Sequence, residues 1–270
     1  MAWVLRGLRE GVVTTRYPRR PDDYGPGFKG SVSVLGAKAG SGGHSRTPAR
    51  GDDSELAALC PTGAIEDRAS GVALDRGRCI LCGRCVAARP DIFAFEPSPE
   101  VAALHRNGLF VPEGHENDEE VERLRTELRS RVRSLRRSVH VRHVDAGSDG
   151  SEEWEVAALL NPIYDVQRLG IFFTASPRHA DLLLVTGAGT EAMVGPLLTT
   201  YEAMPEPKVV LAAGTDATSG GLVHPSYALR GGISSILPVD VFVPGSPPSP
   251  FSLLHGILLA VGLLPEDGRR

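Results

Sequence analysis

The four cysteines of this 270-residue sequence are the residues whose spacing most clearly predicts a chemistry. Three of them form the run Cys79-x2-Cys82-x2-Cys85, which matches the iron–sulfur run C-x2-C-x2-C-x3-C-P except at its last cysteine. This tight spacing lets three thiolates face one cubane cluster. In chains with two clusters the last cysteine of each run binds the other cluster, so a separate Cys-Pro pair should supply the fourth ligand. Cys60-Pro61 is such a pair. We therefore predict one [4Fe–4S] cluster held by Cys60, Cys79, Cys82 and Cys85.

The positions for a second cluster are present but contain no cysteine. Counting back from Cys60 with the same spacing places them at Leu56, Asp53 and Arg50, and Arg89 stands where the fourth ligand would be. One site is therefore complete, and its twin is absent as a whole set. This pattern predicts a small, degenerate bacterial ferredoxin-like domain that has kept a redox role.

Two other uses of the cysteines are open to such a sequence. A zinc site can also use paired C-x2-C ligands, but a third cysteine two residues further on, together with the sequence CPTGAI at 60–65, favours an iron–sulfur cluster. Disulfides are rare in a reducing compartment. We expect a cytoplasmic protein, because the N-terminus has no apolar run of signal-peptide type. The longest apolar stretch, 251–264, is also shorter than the ~20 residues of a spanning helix.

Changes in composition and stretches rich in turn residues divide the chain into five parts. The net charge of −4 gives no global basic field for nucleic acid, and the length allows two modest domains. A stretch rich in Pro and Gly near the N-terminus predicts irregular backbone over residues 1–30. The predicted parts are an extended docking arm (1–35), a flexible loop (36–54), the ferredoxin-like domain (55–96), a connector with a charged helix (97–137) and a C-terminal domain (138–270).

The C-terminal part alternates short apolar runs with segments long enough for helices. Strands are predicted within 139–144, 181–187, 208–214 and 236–245, and the clearest helices are 191–204 and 249–261. Strands that alternate with helices predict an α/β fold with a parallel sheet covered on both faces. In such sheets function collects in loops beyond the carboxyl ends of the strands. Three such loops are DAGSDGSEE, AAGTDATSGG and PGSPPSP.

Several of these segments resemble known families. TTRYPRRPDDYGPGFKG, CPTGAI and LDRGRCILCGRC resemble the ferredoxin-type subunit of formate hydrogenlyase and related membrane-bound hydrogenases. VRHVDAGSDGSEEWEVAALLNPIYDVQRLGI, MPEPKVVLAAG and LPVDVFVPGSPPSP resemble the small subunit of [NiFe] hydrogenases, which is shared with the 20 kDa subunit of complex I. The resemblance implies a natural fusion of two subunits, a flavodoxin-like C-terminal sheet, and partners in the form of a hydrogenase-like large subunit and membrane subunits. It places the protein at the cytoplasmic face of a membrane, held there by those partners.

The second resemblance has one large exception. The family's small subunit holds its own [4Fe–4S] cluster, the proximal cluster, through four cysteines. The matching positions here are Asp149, Glu152, Asp216 and Ser246. Carboxylates and hydroxyls are hard oxygen ligands that suit a cubane poorly, so we predict that the proximal cluster is lost. The three carboxylates could instead bind Mg²⁺ or Ca²⁺, share a proton, or be ordinary loop residues.

These features predict an electron-transfer or scaffold subunit that is not catalytic alone. The sequence has no GxSxG, no HExxH and no complete Walker A motif. The alternative function is a non-redox assembly module that links an altered large subunit to an ion-translocating membrane arm. A third possibility is a ferredoxin-like carrier that works alone, and the long C-terminal domain argues against it.

Overall fold

The computed structural model describes residues 2–20, 22, 27–35, 53–68, 71–112, 118–132, 138–223 and 226–264. Most of the predicted flexible loop, 36–52, lies outside these residues, and its last two positions begin a helix. The predicted extended arm is wrong for Ala2–Glu10, where a helix forms. The alternation of apolar and basic residues in AWVLRGLRE explains this helix, because it gives the segment two distinct faces.

The N-terminal half contains two small antiparallel sheets. Strand β1 pairs with β4, and β3 lies between β2 and β5. Buried apolar side chains from these strands and the following helices form one core that also contains Cys85. The elements are α1 (Ala2–Glu10), β1 (Ser31–Val34), α2 (Asp53–Leu59), β2 (Ile65–Arg68), β3 (Gly71–Asp75), α3 (Arg84–Ala88), β4 (Phe93–Glu96), β5 (Phe110–Val111) and α4 (Asp118–Arg131).

The C-terminal half is a five-stranded, fully parallel sheet in the order β10-β9-β8-β6-β7. In chain order this is 2-1-3-4-5, the flavodoxin-like order, so the predicted fold class is confirmed. The elements are β6 (Val139–Asp145), α5 (Ser151–Ala158), β7 (Ile171–Phe173), β8 (Leu182–Thr186), α6 (Glu191–Glu202), β9 (Val209–Ala213), α7 (Thr215–Ser219), β10 (Val241–Val243) and α8 (Pro250–Ala260). Three of them, β7, α5 and α7, are not evident from the sequence pattern, and β10 is shorter than its predicted run.

Helices cover both faces of this sheet, because alternate strand residues point to opposite sides. On one face, Leu182 and Leu184 pack with residues of α4, α5 and α8. On the other face, Leu183 and Val185 pack with residues of α6 and α7. The connector closes the β10 edge, where Ala103 forms an antiparallel bridge with Phe242. The backbone groups of this edge are therefore partly satisfied within the chain.

The arm that follows α1 lies against the C-terminal half. The amide of Thr15 donates to the carbonyl of Ile163 at 2.8 Å. Tyr17 is 2% exposed and packs edge-on against Phe251, with ring centroids 6.2 Å apart. Arg168 donates to the carbonyl of Tyr17 at 2.7 Å. In contrast, the apolar side chains of α1 are exposed. No helix among the residues described here is long and apolar enough to span a membrane.

Candidate iron–sulfur centre and the adjacent carboxyl cluster

The four cysteines line one pocket in the N-terminal half. Cys60 follows α2, Cys79 and Cys82 lie in the loop after β3, and Cys85 is in the first turn of α3. All four are free thiols. Cys85 is buried, Cys60 and Cys79 are half-buried, and Cys82 is exposed. The structure therefore brings together the whole set of predicted ligands, including Cys60, which is separated from the others by two strands.

Backbone amides of this loop point at the sulfurs. The amide of Ala64 donates to Cys60 Sγ at 3.2 Å. The backbone of Leu81 faces the side chain of Cys79 and lowers the pKa of its thiol, and the backbone of Val86 does the same for Cys85. Leu81 reaches this geometry with a φ of +55°, a left-handed conformation that is uncommon for a residue with a side chain. Such N–H···S bonds favour the thiolate and are found around iron–sulfur clusters.

The electrostatics of the pocket suit a cationic group. Burial raises the pKa of the Cys79 thiol to about 12, and the neighbouring thiols of Cys85, Cys60 and Cys82 contribute to this rise. Burial likewise raises the pKa of Cys85. Four thiolates repel one another in a pocket of low dielectric constant, and the positive charge of cluster iron removes this repulsion. The thiols therefore lose their protons when they bind the cluster. The donor set and its surroundings therefore fit a [4Fe–4S] cluster.

Three of the four positions that the sequence matches to the family's proximal-cluster ligands come together at the carboxyl ends of the strands. Asp149 precedes α5, Glu152 lies in the first turn of α5, and Asp216 lies in the first turn of α7. The sequence predicts loops at the latter two positions, and the structure has helices there. Gly150 and Gly214 have φ values of +90° and +99° and allow the helices to begin directly after them. Ser246, the fourth position, is exposed in the loop after β10.

The three carboxyl groups influence one another. Glu152 is 1% exposed. Its burial raises its pKa to about 7, and the charges of Asp216 and Asp149 add to this effect. Burial, followed by the charge of Asp149, raises the pKa of Asp216. Asp149 is more exposed, and hydrogen bonds from Ser151 lower its pKa.

No three His, Cys, Asp or Glu side chains in the described part of the chain are placed to hold a single metal ion. A [4Fe–4S] cluster makes a different demand, because its four irons take one thiolate each.

The two sites are neighbours, and the residue that joins them carries no signal in the sequence. Thr215 directly precedes Asp216, and its hydroxyl donates to the carbonyl of Cys79 at 3.0 Å. Thr215 and Cys79 are 136 positions apart in the chain, so no local sequence pattern could have related them. A second feature that sequence reasoning missed is the buried pair of Asp75 and Arg106 beside the cysteine loop.

Comparison with known proteins agrees with this architecture. Residues 150–260 match the family model described as NADH ubiquinone oxidoreductase, 20 Kd subunit. The probable membrane-bound hydrogenase subunit mbhJ of Pyrococcus furiosus is 41% identical over 161 residues, which cover 56% of this chain and 96% of that protein. The chain belongs to this family. Residues 72–130 match a second model, described as 4Fe-4S single cluster domain. The predicted resemblance is therefore confirmed, and the family supports an iron–sulfur cluster.

Other relatives match this chain over smaller shares of their own length. Formate hydrogenlyase subunit 7 of Escherichia coli strain K12 is 41% identical over 160 residues. The match covers 59% of this chain and only 61% of that protein. An NADH-quinone oxidoreductase subunit of Geotalea daltonii is 50% identical over 35% of this chain and 55% of its own length. A solved structure of the membrane-bound sulfane sulfur reductase, an archaeal respiratory membrane complex, matches with 31% identity and a TM-score of 0.44. The match covers 51% of this chain and 75% of that one.

The matched ranges bear unequally on the predicted ligands. The single-cluster range contains Cys79, Cys82 and Cys85 but begins after Cys60. The assignment of Cys60 as the fourth ligand therefore depends on the shared pocket and remains a prediction. The range matched to the 20 kDa subunit contains Glu152, Asp216 and Ser246. It begins at residue 150, one residue after Asp149.

Proposed function

We propose that this chain is the electron-transfer subunit of a membrane-bound oxidoreductase related to hydrogenases and complex I. It carries one [4Fe–4S] cluster on Cys60, Cys79, Cys82 and Cys85, and it has lost the proximal cluster of its family. The observation that supports this most is the convergence of all four thiols on one pocket with amides directed at the sulfurs. When bound, the cluster supplies one-electron exchange.

The chain's own residues give that cluster its surroundings. Apolar side chains such as Ile65 and Leu74 line the pocket and keep water away from the inner thiols. Cys82 is the exposed ligand, so the side of the cluster at Cys82 is the one through which an external electron carrier would approach. The amide of Ala64 donates to Cys60 Sγ and stabilises negative charge on it. The backbones of Leu81 and Val86 lower the pKa values of the Cys79 and Cys85 thiols.

The domain boundaries and partners follow from the same proposal. The segments 1–35, 55–96, 97–137 and 138–270 are assigned as a docking arm, the cluster domain, a connector and the small-subunit-like domain, and most of the predicted loop 36–54 lies outside the described residues. Relatives of the chain are named as subunits of formate hydrogenlyase, a membrane-bound hydrogenase and NADH-quinone oxidoreductase. By analogy, we assign to this chain a hydrogenase-like large subunit and membrane subunits as partners at the cytoplasmic face. The mutual influence of Asp149, Glu152 and Asp216 supports the loss of the proximal cluster, because charged oxygen groups occupy its place.

Anaerobic purification followed by metal analysis and EPR spectroscopy tests the proposal. We expect four irons per chain and an EPR signal that appears on reduction and disappears on reoxidation. Cys60→Ser should lose this signal, as should Cys82→Ser. Asp216→Ala should keep it, because that position holds no ligand. Zinc, or no metal, in the parent chain would overturn the cluster assignment.

The same preparation decides between electron transfer and the alternative assembly role. A cluster that resists every physiological reductant while the chain still binds its large subunit would identify a non-redox assembly module. Loss of iron from the Asp216→Ala variant would show that the ligands are assigned to the wrong site.

A further inference from the structure

The loop that contains Cys79 is anchored to the C-terminal half of the chain by one buried threonine. Thr215 is 0% exposed, and its hydroxyl donates to the carbonyl of Cys79 at 3.0 Å. We propose that Thr215 is a positioning residue for the [4Fe–4S] cluster, and that the sheet-end loops which lost the proximal cluster now support the remaining one. This inference rests on the proposed function, because it concerns the surroundings of that cluster.

Thr215 can act as an anchor because its own position is determined by two further hydrogen bonds and by its place in a helix. Its amide donates to the carbonyl of Gly245 at 2.7 Å, and its hydroxyl accepts from the amide of Gly245 at 3.3 Å. It is also the first residue of α7. Since the hydroxyl oxygen accepts from Gly245, its single proton is available for the carbonyl of Cys79. The loop after β10, where Ser246 replaces a family ligand, is thereby tied to the cysteine loop through one side chain.

Close packing beside this hydrogen bond supports the same role. A β-carbon added at Gly77 would lie 2.8 Å from the Thr218 methyl group and 2.6 Å from the Arg106 guanidinium. There is no room for it, so the backbone before Cys79 lies directly on α7. A hydrogen bond in such a tight contact cannot be replaced by water without separating the two surfaces.

The hydrogen bond acts on the sulfur through the backbone. The carbonyl of Cys79 belongs to the same rigid peptide unit as the next amide, so holding it fixes the start of the turn. One residue later, Leu81 has a φ of +55°, and its backbone faces the side chain of Cys79. A non-glycine residue keeps such a conformation only when its surroundings enforce it. Without Thr215, the turn is expected to relax and the Leu81 backbone to move away from the Cys79 sulfur.

This reasoning predicts the direction of a change in reduction potential. Hydrogen bonds to cluster sulfurs stabilise the more negative, reduced state and so raise the potential. Thr215→Val keeps the shape of the side chain and removes the hydroxyl. Thr215→Ser keeps the hydroxyl. Thr218→Val is the matched control, because it removes a buried hydroxyl of the same helix that donates to the carbonyl of Gly214 rather than to the cysteine loop.

The experiment is an EPR-monitored redox titration of the full chain, with iron content measured on each sample. We expect Thr215→Val to bind iron like the parent chain but to have a lower midpoint potential and an altered EPR line shape. Thr215→Ser and Thr218→Val should match the parent. A parental potential in iron-loaded Thr215→Val, or an equal shift in Thr218→Val, overturns the inference and leaves the proposed function intact. A parent chain without a reducible cluster overturns the proposed function itself.

A second variant keeps the inference testable should Thr215→Val fail to fold. Gly77→Ala pushes the two surfaces apart without changing Thr215, so its cluster should also titrate at a lower potential than that of the parent. An iron-loaded Gly77→Ala variant with the parental potential and line shape would overturn the inference by an independent route.

Discussion

The buried pair of Asp75 and Arg106 provides a quantitative test of what holds the cysteine loop in place. Asp75 ends β3 and is 1% exposed. Its carboxylate accepts two hydrogen bonds from the guanidinium of Arg106, one of them between Nη1 and Oδ1 at 2.6 Å. It also accepts from the amide of Gly77 at 2.9 Å. Replacing Arg106 by leucine keeps the apolar stem and removes the charge that compensates the buried carboxylate.

The expected loss of stability follows from this burial. Breaking a buried ion pair by removing one partner costs about 3–5 kcal/mol, because the remaining charge is uncompensated. The lower end applies here, since Arg106 is 27% exposed and Arg78 lies 3.7 Å from the same carboxylate. We therefore expect Arg106→Leu to lower the free energy of unfolding by about 3 kcal/mol. Urea unfolding followed by far-UV circular dichroism measures it, and with a slope of about 3 kcal/mol per M the midpoint would fall by about 1 M.

An exposed ion pair of similar geometry is the matched control. Arg230 donates two hydrogen bonds to Glu191, at 2.6 and 2.8 Å, on the surface. Arg230→Leu should leave the urea midpoint unchanged within error, because water replaces the lost partner. Adding Asp75→Asn to the Arg106→Leu variant should recover part of the loss, since it removes the buried charge. If Arg106→Leu behaved like Arg230→Leu, or if the double variant were the less stable of the two, the burial argument would be wrong.

Two further predictions concern the C-terminal half and the N-terminal arm. The pKa of Glu152 is raised from the usual 4.5 to about 7, chiefly by burial, so its contribution to stability is complete below about pH 4.5 and is lost as the pH rises through 7. Glu152→Gln should therefore raise the urea midpoint more at about pH 8 than at about pH 5, and an equal effect at both pH values would contradict the assignment. Tyr17→Ala should cost about 3–4 kcal/mol in the same urea assay, because it empties a buried aromatic site. Trp3→Ala, at a residue 80% exposed, should cost nothing measurable, and similar losses for both would show that the arm does not dock as described.

Local patterns in the sequence were sufficient for much of the fold. The run Cys79, Cys82, Cys85 and the separate Cys60-Pro61 predicted one set of thiols, and the structure places all four in one pocket. Alternating apolar runs predicted the parallel sheet, because each buried strand must present side chains to both faces. Gly214, at the end of the predicted apolar run 208–214, marked the turn after β9, where its φ is +99°.

Local reasoning failed where neighbouring elements decide the structure. The strand β7 has only three residues, Ile171–Phe173, and is defined by its pairing with β6. The helix α1 lies in a stretch predicted to be irregular, since proline and glycine further along dominate the composition. A strand of three residues such as β7 is too short to leave a periodic signal.

The sequence by itself determined the class of the C-terminal sheet and grouped the four cysteines into one predicted ligand set, and it placed no cysteine at the positions predicted for the proximal cluster. Only the tertiary structure decided that Tyr17 docks on Phe251, that Asp75 is buried with Arg106, and that Thr215 binds the carbonyl of Cys79. The physical reason is distance along the chain. Spacing and periodicity report neighbours within a few residues, whereas these contacts form when separately folded surfaces pack together and exclude water.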